Sequence, residues 1–108
     1  MDLSTVLTEI EIGWRETVKP AIERGSYSLA QEDMLNLDLA LNAFLPQITK
    51  YHSGLTFVVK VKTIQDQLAR RSVETKAITE FEAYLRQTKL SVSTENLMLR
   101  SSSITYNL

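Results

Sequence analysis

Apolar residues recur at intervals of three and four along most of this chain, and only three glycines and two prolines interrupt them. A backbone with so few breaks at that period builds long helices, because turns need residues that accept special dihedrals and these are scarce here. Gly25 and Gly54 fall where helix-period patterns stop. With 108 residues the chain supports one core and therefore one domain. Its 44% hydrophobic and 23% charged residues suit a folded globule. The expected organisation is a helical domain over residues 1–90 followed by a Ser-rich C-terminal tail, 91–108, that orders on binding.

A first helix is expected from Asp2 or Ser4 to Arg24. At 100° per residue, Leu3, Val6, Leu7, Ile10, Trp14, Val18, Ala21 and Ile22 share an arc of about 160°. Asp2, Glu9, Glu16 and Glu23 recur every seventh residue on the other side, with Ile12 alone among them. Pro20 removes a donor and crowds the carbonyl four residues earlier, which predicts a kink near Glu16. Gly25 suits the C-terminal cap.

Ser28 and Gln31 have capping-box spacing and predict the start of a second helix. Met34, Leu37, Leu41, Phe44, Leu45 and Ile48 occupy one side of it, while Leu35 and Leu39 face away, so this helix needs cover on two sides. Pro46 should end or kink it around Leu45, with His52, Ser53 and Gly54 as its terminus.

Residues 55–62 read two ways. As a strand, Leu55, Phe57, Val59 and Val61 alternate with polar or opposite-face neighbours; as a helix, Phe57, Val61, Ile64 and Leu68 continue at spacings of four, three and four. The helix is favoured, because nothing resembling a turn separates Lys62 from Thr63 and only the tail could pair with a strand. A last helix is expected from Ser72 to about Lys89, with Val73, Ala77, Phe81, Tyr84, Leu85 and Thr88 on one face. The tail offers a short helix or a hairpin of residues 97–99 with 104–106. The expected fold is all-α, a small four-helix bundle-like domain. The alternative is an α+β fold with a short hairpin from residues 55–62 and the C-terminal tail.

The residue inventory argues against catalysis. With no cysteine and one histidine there is no thiolate nucleophile and no His/Cys metal cluster, and His52 alone could serve as the base of a serine triad. His52 is better read as a residue at a helix end. The glycines lie too far apart for a phosphate loop, and acids on an outward stripe lack the burial that tunes a carboxylate for proton transfer. The sequence therefore predicts no enzyme, no cofactor and no metal site. The first residues lack a basic, then apolar, leader, and no apolar stretch approaches the length of a membrane span, which favours the cytoplasm and no membrane partner. An aromatic pocket around Trp14 and Phe44 would suit a small-molecule regulator, although aromatics at helical spacing usually belong to a core.

Net charge is −1, but it is a cancellation: residues 1–33 carry three bases and seven acids, and the remainder is mildly basic. The expected function is that of a non-enzymatic helical interaction or assembly subunit, an adaptor or oligomer, whose protein partner or second copy meets Glu9, Ile12, Glu16, Leu35 and Leu39. The second reading is a nucleic-acid-associated helical subunit of a nucleoprotein complex, in which Lys60, Lys62, Arg70 and Arg71 neutralise phosphates.

Overall fold

The computed structural model describes the backbone of residues 2–106 and the side chains of residues 2–98. Helix α1 spans Leu3–Gly13, a π-helical turn spans Trp14–Val18, and α2 spans Lys19–Glu23. Next come α3 (Tyr27–Asn42), the one-turn α4 (Leu45–Ile48), α5 (His52–Ala69) and α6 (Thr75–Tyr106). The fold is all-α, and no strand occurs among the described residues.

Cross-helix pairs fix the topology. Lys19 meets Glu82 and Lys89 meets Glu11, so α6 runs antiparallel to the α1–α2 rod. Asp38 with Lys62, and Ser28 with Arg71, set α3 antiparallel to α5. Lys60 with Glu80, and Ser53 with Ser91, do the same for α5 and α6. With α1 beside α3, the four long elements close into an up-down-up-down bundle. Its core holds Val6, Leu7, Ile10, Trp14, Val18, Met34, Leu41, Phe57, Val61, Ile64, Leu68, Phe81 and Leu85, all buried. Phe81 lies at the centre, with its ring 4.2 Å from Trp14 and 5.2 Å from Phe57 between centroids.

The first rod runs as the apolar arc requires, and the irregularity expected at Pro20 takes a specific form. Pro20 cannot donate to the carbonyl of Glu16 and its ring crowds that carbonyl. The ladder widens instead, and the Lys19 amide donates to the Trp14 carbonyl five residues back. Asp2 caps the start by accepting from the Thr5 amide at 2.8 Å. The end is a Schellman turn: Gly25 sits at φ 76°, its amide donates to the Ile22 carbonyl and the Ser26 amide donates to the Ala21 carbonyl. The same pair of bonds ends α5, from Arg71 to Leu68 and from Ser72 to Gln67. There the left-handed position, φ 57°, is held by Arg71 and not by a glycine, at a cost of about 1 kcal/mol.

The structure bears out the helix favoured for residues 55–62 and corrects several other local expectations. Residues 55–62 lie inside α5, so the hairpin alternative does not form, and neither does a hairpin within the tail, whose backbone is helical through Tyr106. The Ser28–Gln31 capping box is not made: α3 starts at Tyr27 and the Ser28 hydroxyl accepts from Arg71. His52, Ser53 and Gly54 do not terminate a helix but open α5, while Pro46 occupies the first turn of α4, where a missing amide costs nothing. α6 also passes through Lys89 without a break, because no glycine or proline follows Gly54 in the sequence.

Candidate interaction surface

The charged residues resolve into contacts that tie helices together. Glu82 on α6 accepts from the Trp14 indole at 2.9 Å and from the Lys19 ammonium at 2.8 Å. Burial pushes its carboxyl up, but the hydrogen bonds from Lys19 and Trp14, joined by the charges of Lys19 and Arg86, outweigh that and hold it below its ordinary value of 4.5. These residues, with Glu11, Arg15, Leu85 and Arg86, line an open cleft of about 340 Å³. Four of its five charges are matched within the protein, Lys19 and Glu82 by each other, Glu11 by Lys89 and Arg15 by Glu16. Trp14 belongs to the core, as an aromatic at helical spacing should, and Phe44 does not line the cleft.

A folded-state value below the unfolded one means that Glu82 contributes stability fully above the ordinary carboxylate range and loses it as pH falls through the lower folded value. Glu82→Gln is expected to cost about 2 kcal/mol at neutral pH, the scale of hydrogen bonds to a charged group. It should also flatten the loss of stability below pH 4.5. Urea titrations of both proteins across that range test this.

The four basic residues read as a nucleic-acid patch do not share a face. Lys60 turns toward α6 and pairs with Glu80 at 2.6 Å, Lys62 turns toward α3 and pairs with Asp38 at 3.1 Å, and Arg70 pairs with Asp66 at 2.7 Å. Arg71 forms the helix cap and reaches Ser28. Adjacency in sequence disperses around a helix at 100° per residue, and three of these cations already have carboxylate partners. His52 lies at the N-terminal end of α5, the end whose free amides favour an anion over a cation. Among the described residues no group of three His, Cys, Asp or Glu side chains could hold a metal ion, and no helix is long and apolar enough to cross a membrane.

The five residues read as a partner interface divide into two places. Glu9, Ile12 and Glu16 lie on the first rod, all exposed, with Ile12 isolated among acids. Leu35 and Leu39, 51% and 59% exposed, lie elsewhere. Leu37, between them in sequence, faces α1 beside Gly13, so positions two residues away point about 160° from it, past Asp38 and toward the α5 side.

On α5 the same arithmetic applies. Phe57 and Val61 are buried, so Leu55 and Val59, two residues from one or both, turn outward and are 50% and 57% exposed. Sequence reasoning did not single out this pair: the favoured helix reading followed Phe57, Val61, Ile64 and Leu68, and only the strand alternative placed Leu55 and Val59 on a face with Phe57 and Val61. The antiparallel register set by Asp38 and Lys62 places Leu39 level with residue 61 and Leu35 level with residue 65. By that register Leu55, Val59, Leu39 and Leu35 follow one another obliquely from α5 to α3 over about 15 Å, a strip of exposed apolar positions with the Lys62 side chain, 58% exposed, between Leu39 and Leu35. Its far end opens into a depression of about 470 Å³ lined by Gln31, Glu32, Leu35 and Gln65. Beneath the strip, Asp38 is buried, one carboxylate oxygen bonded to Lys62 and the other without a partner among the described residues.

Comparison with protein-family models, with curated proteins and with solved structures finds no match for this chain.

Proposed function

We propose that this chain is a non-enzymatic helical interaction subunit, with the α3/α5 face as its docking surface. The supporting observation is the strip itself: two leucines on α3 and a leucine and a valine on α5, each about half exposed, in i,i+4 pairs on neighbouring helices. Together they present on the order of 400 Å² of apolar surface, the size of the largest apolar patch on an ordinary monomer, which is often a functional one. Single exposed apolar residues such as Ile12 carry no such argument. The bundle supplies the rigid support, since both helices are fixed on the core side by Met34, Leu41, Phe57, Val61 and Ile64.

The test pairs light scattering with affinity capture on the purified chain and on a Leu35→Asp, Leu39→Asp variant. Association with a second copy or with another protein is expected for the parent and is expected to weaken at least a hundredfold in the variant, with an unchanged helical circular dichroism spectrum. A parent protein that stays monomeric at high micromolar concentration and captures nothing would overturn the reading.

A further inference from the structure

We infer that the cleft between the first rod and α6 binds a small organic carboxylate, clamped between the guanidiniums of Arg15 and Arg86. The register of the two elements brings these side chains together. Lys19 pairs with Glu82 at 2.8 Å and Glu11 with Lys89 at 3.0 Å, so the rung between these pairs sets Arg15 opposite Arg86. Rungs four residues apart are about 6 Å apart along the axes. The outer rungs match opposite charges, whereas the middle one sets two cations against each other, and both line the cleft of about 340 Å³. Arg86 makes no ion pair among the described residues. Glu82, one turn before it, already accepts from Lys19 and Trp14 through one oxygen. Arg15 has only Glu16, its neighbour in sequence, at 3.9 Å with both side chains 63% exposed, and a surface pair of that kind contributes little. Arg15 also stands in the π-helical turn, a backbone form found frequently at functional sites.

Geometry and charge select the ligand. Packed helices stand about 8–10 Å apart, within the joint reach of two arginine side chains, so both planar forks can close on one group. A carboxylate takes such a fork through paired N–H···O bonds. Three cations and two carboxylates line the cleft, and counting their outside partners Glu16 and Lys89 leaves the same surplus of one positive charge, which a single carboxylate neutralises. A nucleic-acid backbone or an anionic membrane would instead press further negative charge onto Glu11 and Glu82, one rung away on either side. The two flanking ion pairs cross the groove about 12 Å apart, which leaves room for a small molecule and not for a docked helix or strand. Trp14 and Leu85 form an apolar floor beneath the guanidiniums, and the methylene stems of the arginines flank it, so the ligand carries a short hydrocarbon body. The volume lies at the lower end of the range for small-molecule sites.

Hexanoate titrated into the full chain tests this, followed by the fluorescence of Trp14, the only tryptophan, and by backbone amide shifts in NMR spectra. Saturable binding is expected at millimolar concentration, with the shifts centred on residues 11–19 and 82–89. Hexanamide, which has the same shape without the charge, should bind at least about tenfold more weakly, the scale set by hydrogen bonds to a charged group. Hexanoate should lose affinity to the same extent for Arg15→Gln and for Arg86→Gln. Both side chains are exposed, so each variant should keep the parent's helical circular dichroism and urea midpoint. Leu35→Asp with Leu39→Asp, on the α3/α5 face, should bind hexanoate as the parent does. The inference is overturned by the absence of saturable shifts, by hexanamide binding as well as hexanoate, or by undiminished hexanoate binding in both glutamine variants. A cleft that takes inorganic phosphate and not hexanoate overturns the choice of a carboxylate.

Discussion

Phe81→Ala is expected to destabilise the protein by about 4 kcal/mol, within the range for removing a fully buried aromatic ring. The side chain is inaccessible to solvent and lies between Trp14 of the first rod and Phe57 of α5, so one deletion strips contacts from three of the four long elements. No neighbour can collapse into the space without breaking another contact, because Trp14 is held in place by its bond to Glu82. In a domain of this size the loss corresponds to a melting temperature lower by about 15–20 °C. Urea denaturation followed by fluorescence measures it directly, since Trp14 is the only tryptophan and sits against the site of change. Phe81→Leu, which retains most of the volume, should cost less than half as much. A loss below about 1 kcal/mol for the alanine variant would show that the three rings are not the centre of the core.

The fold was legible wherever burial alone decided the pattern. The arc from Leu3 to Ile22 forecast the inner face of the first rod, and Pro20 forecast a disturbance at the turn that becomes π-helical. Leu35 and Leu39 could be recognised as a second face of α3 because Met34 and Leu41 already defined the first. What could not be read was the continuation of that face. Leu55 and Val59 share the outer side of α5, and their presence beside Phe57 and Val61 is what mimicked the alternation of a strand. The ambiguity over residues 55–62 and the hidden half of the docking surface thus have one cause, an apolar pair on the solvent side of a helix. Contacts between distant segments were equally silent. Glu82 with Trp14 and Lys19, and Lys89 with Glu11, join residues 63 to 78 positions apart, and no local pattern marks them. The Ser-rich composition of residues 91–103 suggested a tail, yet serine is only a modestly poor helix former and no breaker follows it.

Gly54→Ala is expected to cost about 3 kcal/mol, although the same change at an open helical position would add about 1 kcal/mol of stability. The sign turns on what the added methyl meets. Gly54 lies in the first turn of α5, pressed against the end of α4, and a Cβ there would stand 2.0 Å from the carbonyl oxygen of Ile48 and 3.0 Å from its carbonyl carbon. The obstruction is backbone, which cannot rotate aside as a side chain can. Ile48 itself is fully buried and its carbonyl accepts from the Tyr51 amide, so α4 can withdraw only by disturbing the core and the turn into α5. Because α4 joins α3 to α5, its displacement also shifts the two helices that carry the apolar strip. The variant should therefore lose association as well as stability, whereas Leu35→Asp with Leu39→Asp should lose association alone. Urea midpoints and light scattering on the same samples separate these outcomes, and an alanine variant as stable as the parent would show that α4 does not clamp the start of α5 in solution.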